Sequence, residues 1–218
     1  EAYGASFDSE PKYRERLAAA REAASDSLWP RIGWMPRACP IMLSEHKMVI
    51  GLYSDVFLSS IVAWTEDSGK TWRFGEPMQG YGPIQPSLAL KRDGTLAAFM
   101  RDKSPAKRIR YAESKDGGQT WGPVQNLAIS NPDSSVACAV LASGNWLLVC
   151  NDTTGGPRSG RTRLTAFLSD DEGASWKWQR VMEEHDESCA AAYPTAIQSK
   201  DGLIHCVYTY SPSPNETI

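Results

Sequence analysis

The chain contains no run of roughly 18 consecutive apolar residues, which excludes a membrane-spanning helix. The first residues, Glu1-Ala2-Tyr3-Gly4, include neither a basic segment nor an apolar one, so no signal peptide is read there. Charge of one sign is nowhere concentrated. The 23 basic and 26 acidic residues are scattered and leave a formal net charge of −3, which provides no electrostatic footprint for nucleic acid or a membrane surface. Histidine is scarce, and His46, His185 and His205 show no mutual spacing that suggests a ligand set. Cysteine is present five times, at Cys39, Cys138, Cys150, Cys189 and Cys206, without a Cys-x-x-Cys pair or a nearby His at zinc spacing. No metal site and no cofactor is expected. Cys138, Cys150 and Cys206 lie in apolar runs, where a thiol behaves as a small core residue, so free thiols are expected there. Asn151-Asp152-Thr153 and Asn215-Glu216-Thr217 match the glycosylation pattern, but two matches in this length are close to chance.

What the chain does have is 8 Trp, 17 Gly and 14 Pro, a composition suited to many short strands joined by tight turns. It also has one short pattern three times: Thr65-Glu66-Asp67-Ser68-Gly69-Lys70-Thr71-Trp72, Ser114-Lys115-Asp116-Gly117-Gly118-Gln119-Thr120-Trp121, and Ser169-Asp170-Asp171-Glu172-Gly173-Ala174-Ser175-Trp176. The first residues of successive copies are 49 and 55 positions apart. A unit recurring at roughly 40 to 55 residues points to a β-propeller blade or a similar repeat. Each position has a physical task. The carboxylates of Asp67, Asp116 and Asp171 can accept hydrogen bonds from backbone N–H groups of their own turn. Gly69, Gly118 and Gly173 can take the positive φ the turn needs, and Trp72, Trp121 and Trp176 can close over the hairpin as apolar plugs. The pattern is read as a structural staple, which specifies fold rather than chemistry.

Residues 1–10 read as polar and loose. From Pro11 to about Ala24, Leu17, Ala18, Ala19 and Ala20 stand among other strong helix formers, with Pro in the first turn of a single helix that ends over Asp26 to Pro30. Strand-like runs come next. Pro40 to Leu43, Met48 to Leu52 and Ser59 to Thr65 lead into the first box; Ser87 to Leu90, Thr95 to Met100 and Arg108 to Ser114 into the second; Ser135 to Leu141, Trp146 to Cys150 and Leu164 to Ser169 into the third. Tyr193 to Ile197 and Leu203 to Tyr210 begin a last unit. The fold class is therefore all-β, about four blades with one short N-terminal helix, divided as residues 1–32 (polar segment and helix) and 33–218 (blades).

The triple pattern resembles the Asp-box, or BNR repeat, of the sialidase-like propellers, and the resemblance covers about Gly33 to Tyr210. It implies a propeller with six blades when complete. The chain is thus expected to be the C-terminal part of a longer protein, or to have its ends completed by self-association with another chain. The family holds a substrate carboxylate on three arginines, uses a Tyr as nucleophile with a Glu as base, and has an Asp as acid/base. The chemistry is electrostatic: planar guanidinium groups bind a carboxylate bidentately, and a neutral phenol is not repelled by the negatively charged substrate. The resemblance places the second arginine at Arg101, in Ala98-Phe99-Met100-Arg101 upstream of Arg108 and the second box. It places the third at Arg161, with Arg163 as a rival, and nominates Tyr193 in Ala192-Tyr193-Pro194. Arg37, in Met35-Pro36-Arg37, echoes the first arginine, and Asp55 in Tyr53-Ser54-Asp55 is an acid/base candidate. Where the family has its Glu, this chain has Gln85, which can hydrogen-bond a phenol but cannot take its proton.

The resemblance implies a glycosidase of the exo-α-sialidase type acting on a terminal acidic sugar, in an extracytoplasmic compartment. A lyase or hydrolase acting on uronate glycans is chemically compatible with the same residues, as is a non-catalytic propeller that binds glycans or proteins. An enzyme requires the guanidinium groups of Arg101 and Arg161 and the phenol of Tyr193 to converge within about one sugar-ring width.

Overall fold

The computed structural model describes residues 11–28, 33–80 and 82–213. Residues 1–10, 29–32 and 214–218, on which the loose N-terminus, the proline helix stop and the second glycosylation match were expected, lie outside the described residues. The helix α1 spans Pro11–Ser25. After it the regular structure is almost entirely strand, in four antiparallel sheets.

The first sheet contains β1 (Met35–Pro36), β2 (Ile41–Met42), β3 (Met48–Ser54), β4 (Ser59–Thr65) and β5 (Arg73–Phe74). Here β1 and β2 both pair with β3, so the innermost strand is interrupted between Arg37 and Pro40. The second sheet is a regular four-strand meander of β6 (Pro83–Leu90), β7 (Leu96–Asp102), β8 (Arg108–Ser114) and β9 (Gln125–Ser130). The third repeats it with β10 (Ala137–Val140), β11 (Trp146–Cys150), β12 (Arg163–Ser169) and β13 (Trp178–Glu184). The fourth has two strands, β14 (Ala190–Gln198) and β15 (Ile204–Ser211). The sequence pattern located the inner three strands of each complete unit, apart from the short β1, and both strands of the last, but not the outer strands β5, β9 and β13. These are mostly exposed on their outer edge and carry little hydrophobic alternation.

Successive sheets stack face to face because their second strands are apolar on both sides. A strand points alternate side chains to opposite faces. In β7, Leu96, Ala98 and Met100 join Val49, Val62 and Trp64 of the first sheet, whereas Ala97 and Phe99 join Trp146, Leu148 and Phe167 of the third. In β11 the alternation recurs: Leu147 and Val149 pack with Leu164, Ala191 and Ala196 towards the fourth sheet. The core is a series of three inter-blade layers rather than one central cluster.

The three Asp-boxes connect the third and fourth strands of their sheets and have the same wiring. In the first, Thr65 Oγ1 donates to Asp67 Oδ1 (2.8 Å) and accepts from Gly69 N (2.8 Å). Thr71 then closes the turn by donating its N–H to Asp67 Oδ1 at 2.9 Å and its hydroxyl to Oδ2 at 2.6 Å. Ser114, Asp116 and Thr120 reproduce this in the second box, and Ser169, Asp171 and Ser175 in the third. Gly118 (φ +96°) and Gly173 (φ +83°) are required twice over. A Cβ at Gly118 would stand 2.9 Å from Val62 Cγ1, and one at Gly173 would stand 3.3 Å from Phe99 Cζ, in each case a residue of the preceding blade. The second and third boxes therefore pack against the preceding blade as well as closing their own hairpins. Trp121 and Trp176 pack against the inter-blade layers, whereas Trp72 remains 38% exposed and donates its indole N–H to Gly69 O.

Hydrogen bonding to the neighbouring hydroxyls and amides holds all three box carboxylates below the ordinary Asp range. Asp171 lies at about 2, and Asp116 at about 2 against an opposing effect of burial. A carboxylate whose folded pKa is depressed stabilises the fold fully above its unfolded value near 4 and ceases to do so as pH falls through the folded value. The urea midpoint is therefore expected to fall between about pH 4 and pH 2, with Asp116→Asn flattening that fall; an unaltered acid profile in the variant would exclude the box as its source.

Candidate active site

Strand register places the boxes and the predicted site residues at opposite rims. Thr65, Ser114 and Ser169, where the boxes begin, pair with Met48, Leu96 and Trp146 at the starts of the second strands. At the other ends of the sheets, Met35 pairs with Tyr53, Ile84 with Arg101, and Ala192 with Thr209. Arg37, Asp55, Gln85, Arg101 and Tyr193 all lie at or beside that second rim.

Two innermost strands share a local device there. The register of β6 shifts between Ile84 and Ser87, and that of β14 between Ala192 and Thr195. Within each shift a non-glycine residue with positive φ precedes a proline: Gln85 (φ +57°) before Pro86, and Tyr193 (φ +56°) before Pro194. Each stands five residues before the last residue of its strand. A bulge adds one residue, bends the strand and re-aims a side chain. Positive φ before proline is disfavoured and is retained only where the surroundings enforce it, commonly at functional sites.

Tyr193 is the centre of the arrangement. The guanidinium carbons of Arg161, Arg37 and Arg101 lie 4.9, 5.5 and 6.0 Å from its ring centroid. Its hydroxyl accepts from Arg161 Nη2 at 3.3 Å and from Arg101 Nη1 at 3.4 Å. Arg37 is braced on the same strand as Tyr193, donating to Pro194 O and Thr195 Oγ1, both at 3.2 Å. Arg101 is 8% exposed and reaches Gln85 Oε1 at 3.5 Å. Arg161, not its rival Arg163, reaches the phenol; Arg163 instead pairs with Asp152 (3.4 Å) on its own sheet. Asp55 lies in the β3–β4 turn, and among the described residues its ion pair is with Lys103 (3.3 Å) rather than with an arginine of the cluster.

One participant had no signal in the sequence. Asp133 accepts from Arg101 Nε at 2.5 Å through its carboxylate, and from Arg161 Nη2 at 3.3 Å through its main-chain carbonyl. It has φ +71° and lies two residues after Asn131, a fully buried side chain whose amide oxygen accepts from the N–H groups of Asp133 and Ser134. The local segment Asn131-Pro132-Asp133 reads only as a turn; the arginines it serves are 28 or more residues away.

The electrostatics follow from this packing. Burial works to raise the Tyr193 pKa, but the charges and hydrogen bonds of Arg101 and Arg161 outweigh it and bring the phenol below its ordinary 10. Burial also works against the Arg101 cation, and the Asp133 carboxylate more than restores it. Burial lowers the Arg37 pKa, opposed chiefly by Tyr193. Asp133 is the one carboxylate that pairs with any of the three arginines among the described residues, so the cluster retains net positive charge. Such a site can bind a carboxylate and can stabilise a phenolate beside it. The described residues include no cluster of metal-binding side chains.

Stacked Asp-box blades with an arginine-lined rim opposite the boxes define a sialidase-type propeller architecture. The chain belongs to the BNR repeat-like domain family, whose model matches residues 14–206. It is 26% identical over 209 residues to a sialidase of Micromonospora viridifaciens, covering 91% of this chain and 29% of that protein. The chain thus spans less than a third of the length of that relative. Among solved structures it resembles a protein of unknown function from Dyadobacter fermentans (TM-score 0.66, 15% identity, 84% of this chain and 51% of that one). It also resembles a point variant of the NanB sialidase from Streptococcus pneumoniae (TM-score 0.60, 21% identity, 78% and 26%). At these identities the structural likenesses establish the fold alone.

Proposed function

We propose that this chain contributes the substrate-binding rim of a glycosidase that acts on a terminal acidic sugar, in the manner of an exo-α-sialidase. The observation that carries the reading is the convergence of three guanidinium groups on one phenol, with two of them hydrogen-bonded to its oxygen. In this reading Arg37, Arg101 and Arg161 take the sugar carboxylate. Tyr193 Oη bonds to the anomeric carbon as the glycosidic C–O bond breaks, and the departing oxygen receives a proton from an acid, for which Asp55 is the candidate on the same rim. Water then releases the sugar and regenerates the phenol. Gln85 cannot take the phenol proton, so the two arginines would favour ionisation directly.

Gln85 also favours a second reading. On a uronate glycan the arginines would neutralise the carboxylate and acidify the adjacent C–H. The Tyr193 phenolate would take the C5 proton, C4=C5 would form, and the C4–O bond would break, its oxygen leaving with a proton returned by Tyr193.

The two readings give different products. With a fluorogenic α-sialoside the first yields free fluorophore; with a uronate oligosaccharide the second yields a conjugated double bond that absorbs in the ultraviolet. Arg101→Ala is expected to weaken binding of either acidic sugar about a hundredfold, as loss of charge-assisted hydrogen bonds to a carboxylate does. Unchanged affinity in that variant would defeat both readings, whereas binding without turnover on any acidic glycan would leave a non-catalytic glycan-binding propeller.

A further inference from the structure

Beside Tyr193, on the side towards β15, lies a cavity of about 230 Å³ whose walls include Arg158, Ser159, Arg161, Tyr193 and Thr209. Among the described residues no carboxylate lines it. Arg161 borders both this cavity and the arginine cluster around Tyr193, whereas Arg158 belongs to the cavity and hydrogen-bonds away from that cluster. Among the described residues neither Arg158 nor Arg161 forms an ion pair, and each has a buried Nε–H without an acceptor. Arg158 donates through Nη2 to the main-chain oxygen of Ser213 (3.3 Å), and Arg161 donates through its own to Asp133 O and the Tyr193 hydroxyl.

Arg158 and Arg161 thus line one cavity without a carboxylate partner among the described residues, and their Nε–H donors are buried without an acceptor, an arrangement that is costly unless an anion in the cavity offsets the charge. The loop that presents Arg158 is also fixed in place. Arg158 and Ser159 have left-handed backbone conformations (φ +52° and +58°), a strain that persists only where the surroundings enforce it. The next residue, Gly160 (φ +75°), has no room for a side chain: a Cβ there would stand 2.5 Å from Thr153 Oγ1 and 2.6 Å from Pro132 Cβ. Thr153 Oγ1 also donates to Gly160 O at 2.7 Å.

We infer that this cavity is a second anion subsite, with Arg158 as its dedicated residue, so that the substrate is a glycan with two negative groups close together. The inference rests on the reading that the Tyr193 cluster holds an acidic sugar. The volume is below that of a whole-ligand pocket and suits a substituent or a single ring. Sulfate ester and carboxylate share the required chemistry, a compact anion that accepts from guanidinium N–H groups.

The test uses the 218-residue chain and three probes: a disaccharide with one uronate carboxylate, its sulfated counterpart, and a disaccharide with two carboxylates. Calorimetric titration is expected to give about tenfold tighter binding of at least one doubly charged probe, and which of the two gains identifies sulfate or carboxylate. Arg158→Gln should bring the three probes to within about twofold of one another, and Arg158→Lys should restore part of the preference. Equal binding of all three by the unmodified chain, or a preference that survives Arg158→Gln, overturns the subsite. A separate titration with inorganic sulfate, read on the arginine Hε–Nε resonances, does not depend on the acidic-sugar reading. The Arg158 and Arg161 signals should shift together, and their indifference to sulfate overturns the inference even if no sugar binds. Shifts with sulfate but no binding of any sugar probe would retain the anion site and remove the acidic-sugar reading instead.

Discussion

Tyr193→Phe is expected to lower kcat on an acidic glycan about a thousandfold, within the range for removal of a positioned nucleophilic or acid–base group, while leaving the fold intact. Phenylalanine keeps the ring against which Arg37, Arg101 and Arg161 pack and meets the same backbone constraint at φ +56°. Only the oxygen shared by Arg101 and Arg161 is lost. Substrate affinity should therefore fall much less than kcat, because the guanidinium groups proposed to take the carboxylate remain. In the unmodified chain the rate should rise with pH through a Tyr193 pKa lying below 10, since in the proposed mechanism the phenolate reacts and the two arginines stabilise it. The variant should lose that limb of the profile. A steady-state pH series on both proteins checks this, and equal kcat values would remove Tyr193 from the chemistry.

The largest stability effect should come from Phe99→Ala, a loss of about 3–5 kcal/mol in denaturant unfolding. Phe99 is fully buried in β7 at the layer between the second and third sheets. Its ring meets Tyr111 at 5.2 Å, Trp176 at 5.8 Å and Trp146 at 5.9 Å, the last two edge-on. Truncation would open a cavity where the third Asp-box, through Gly173 and Trp176, rests on the preceding blade. Because Phe99 lies two residues before Arg101 on the same strand, a weakened layer should also loosen the site, and substrate affinity should fall together with stability. A loss below about 1 kcal/mol would show that the blades are held chiefly by their backbone ladders rather than by this layer.

Much of the scaffold is legible in the residues themselves. The three boxes mark the third-to-fourth strand turn of each complete blade, since an Asp, a Gly and flanking hydroxyls satisfy one another within eight residues. Strand β11 coincides with its apolar run because both of its faces are buried, and β8, Arg108–Ser114, coincides with its strand-like run. The outer strands are less legible: β9 and β13 lie at an exposed edge, where backbone pairing, not side-chain burial, keeps them in place.

At the site the division is sharper. Arg101, Arg161, Arg37, Tyr193 and Gln85 can be nominated from local segments and a family resemblance, because each occupies a recognisable place relative to a box or a turn. Their meeting cannot be read in that way. Arg101 and Tyr193 are 92 residues apart, and Arg37 and Thr195 are 158 apart. Choosing between Arg161 and Arg163 depends on the chain entering β12 at Arg163, which leaves Arg161 in the preceding turn to reach the phenol, and Asp133 acquires a role only when the second blade brings Arg101 beside it.

The sequence by itself determined the repeating blade, its box-closed hairpins and the apolar alternation that stacks one sheet on the next, because these depend on neighbours within a few residues and on period-two patterning. The tertiary structure alone decided that three guanidinium groups surround one phenol, that Asp133 braces two of them, and that Arg158 and Arg161 share a cavity with no carboxylate among its described lining residues. Those arrangements arise where strand ends from different blades meet, and the distance between such ends is set by sheet stacking rather than by any spacing along the chain.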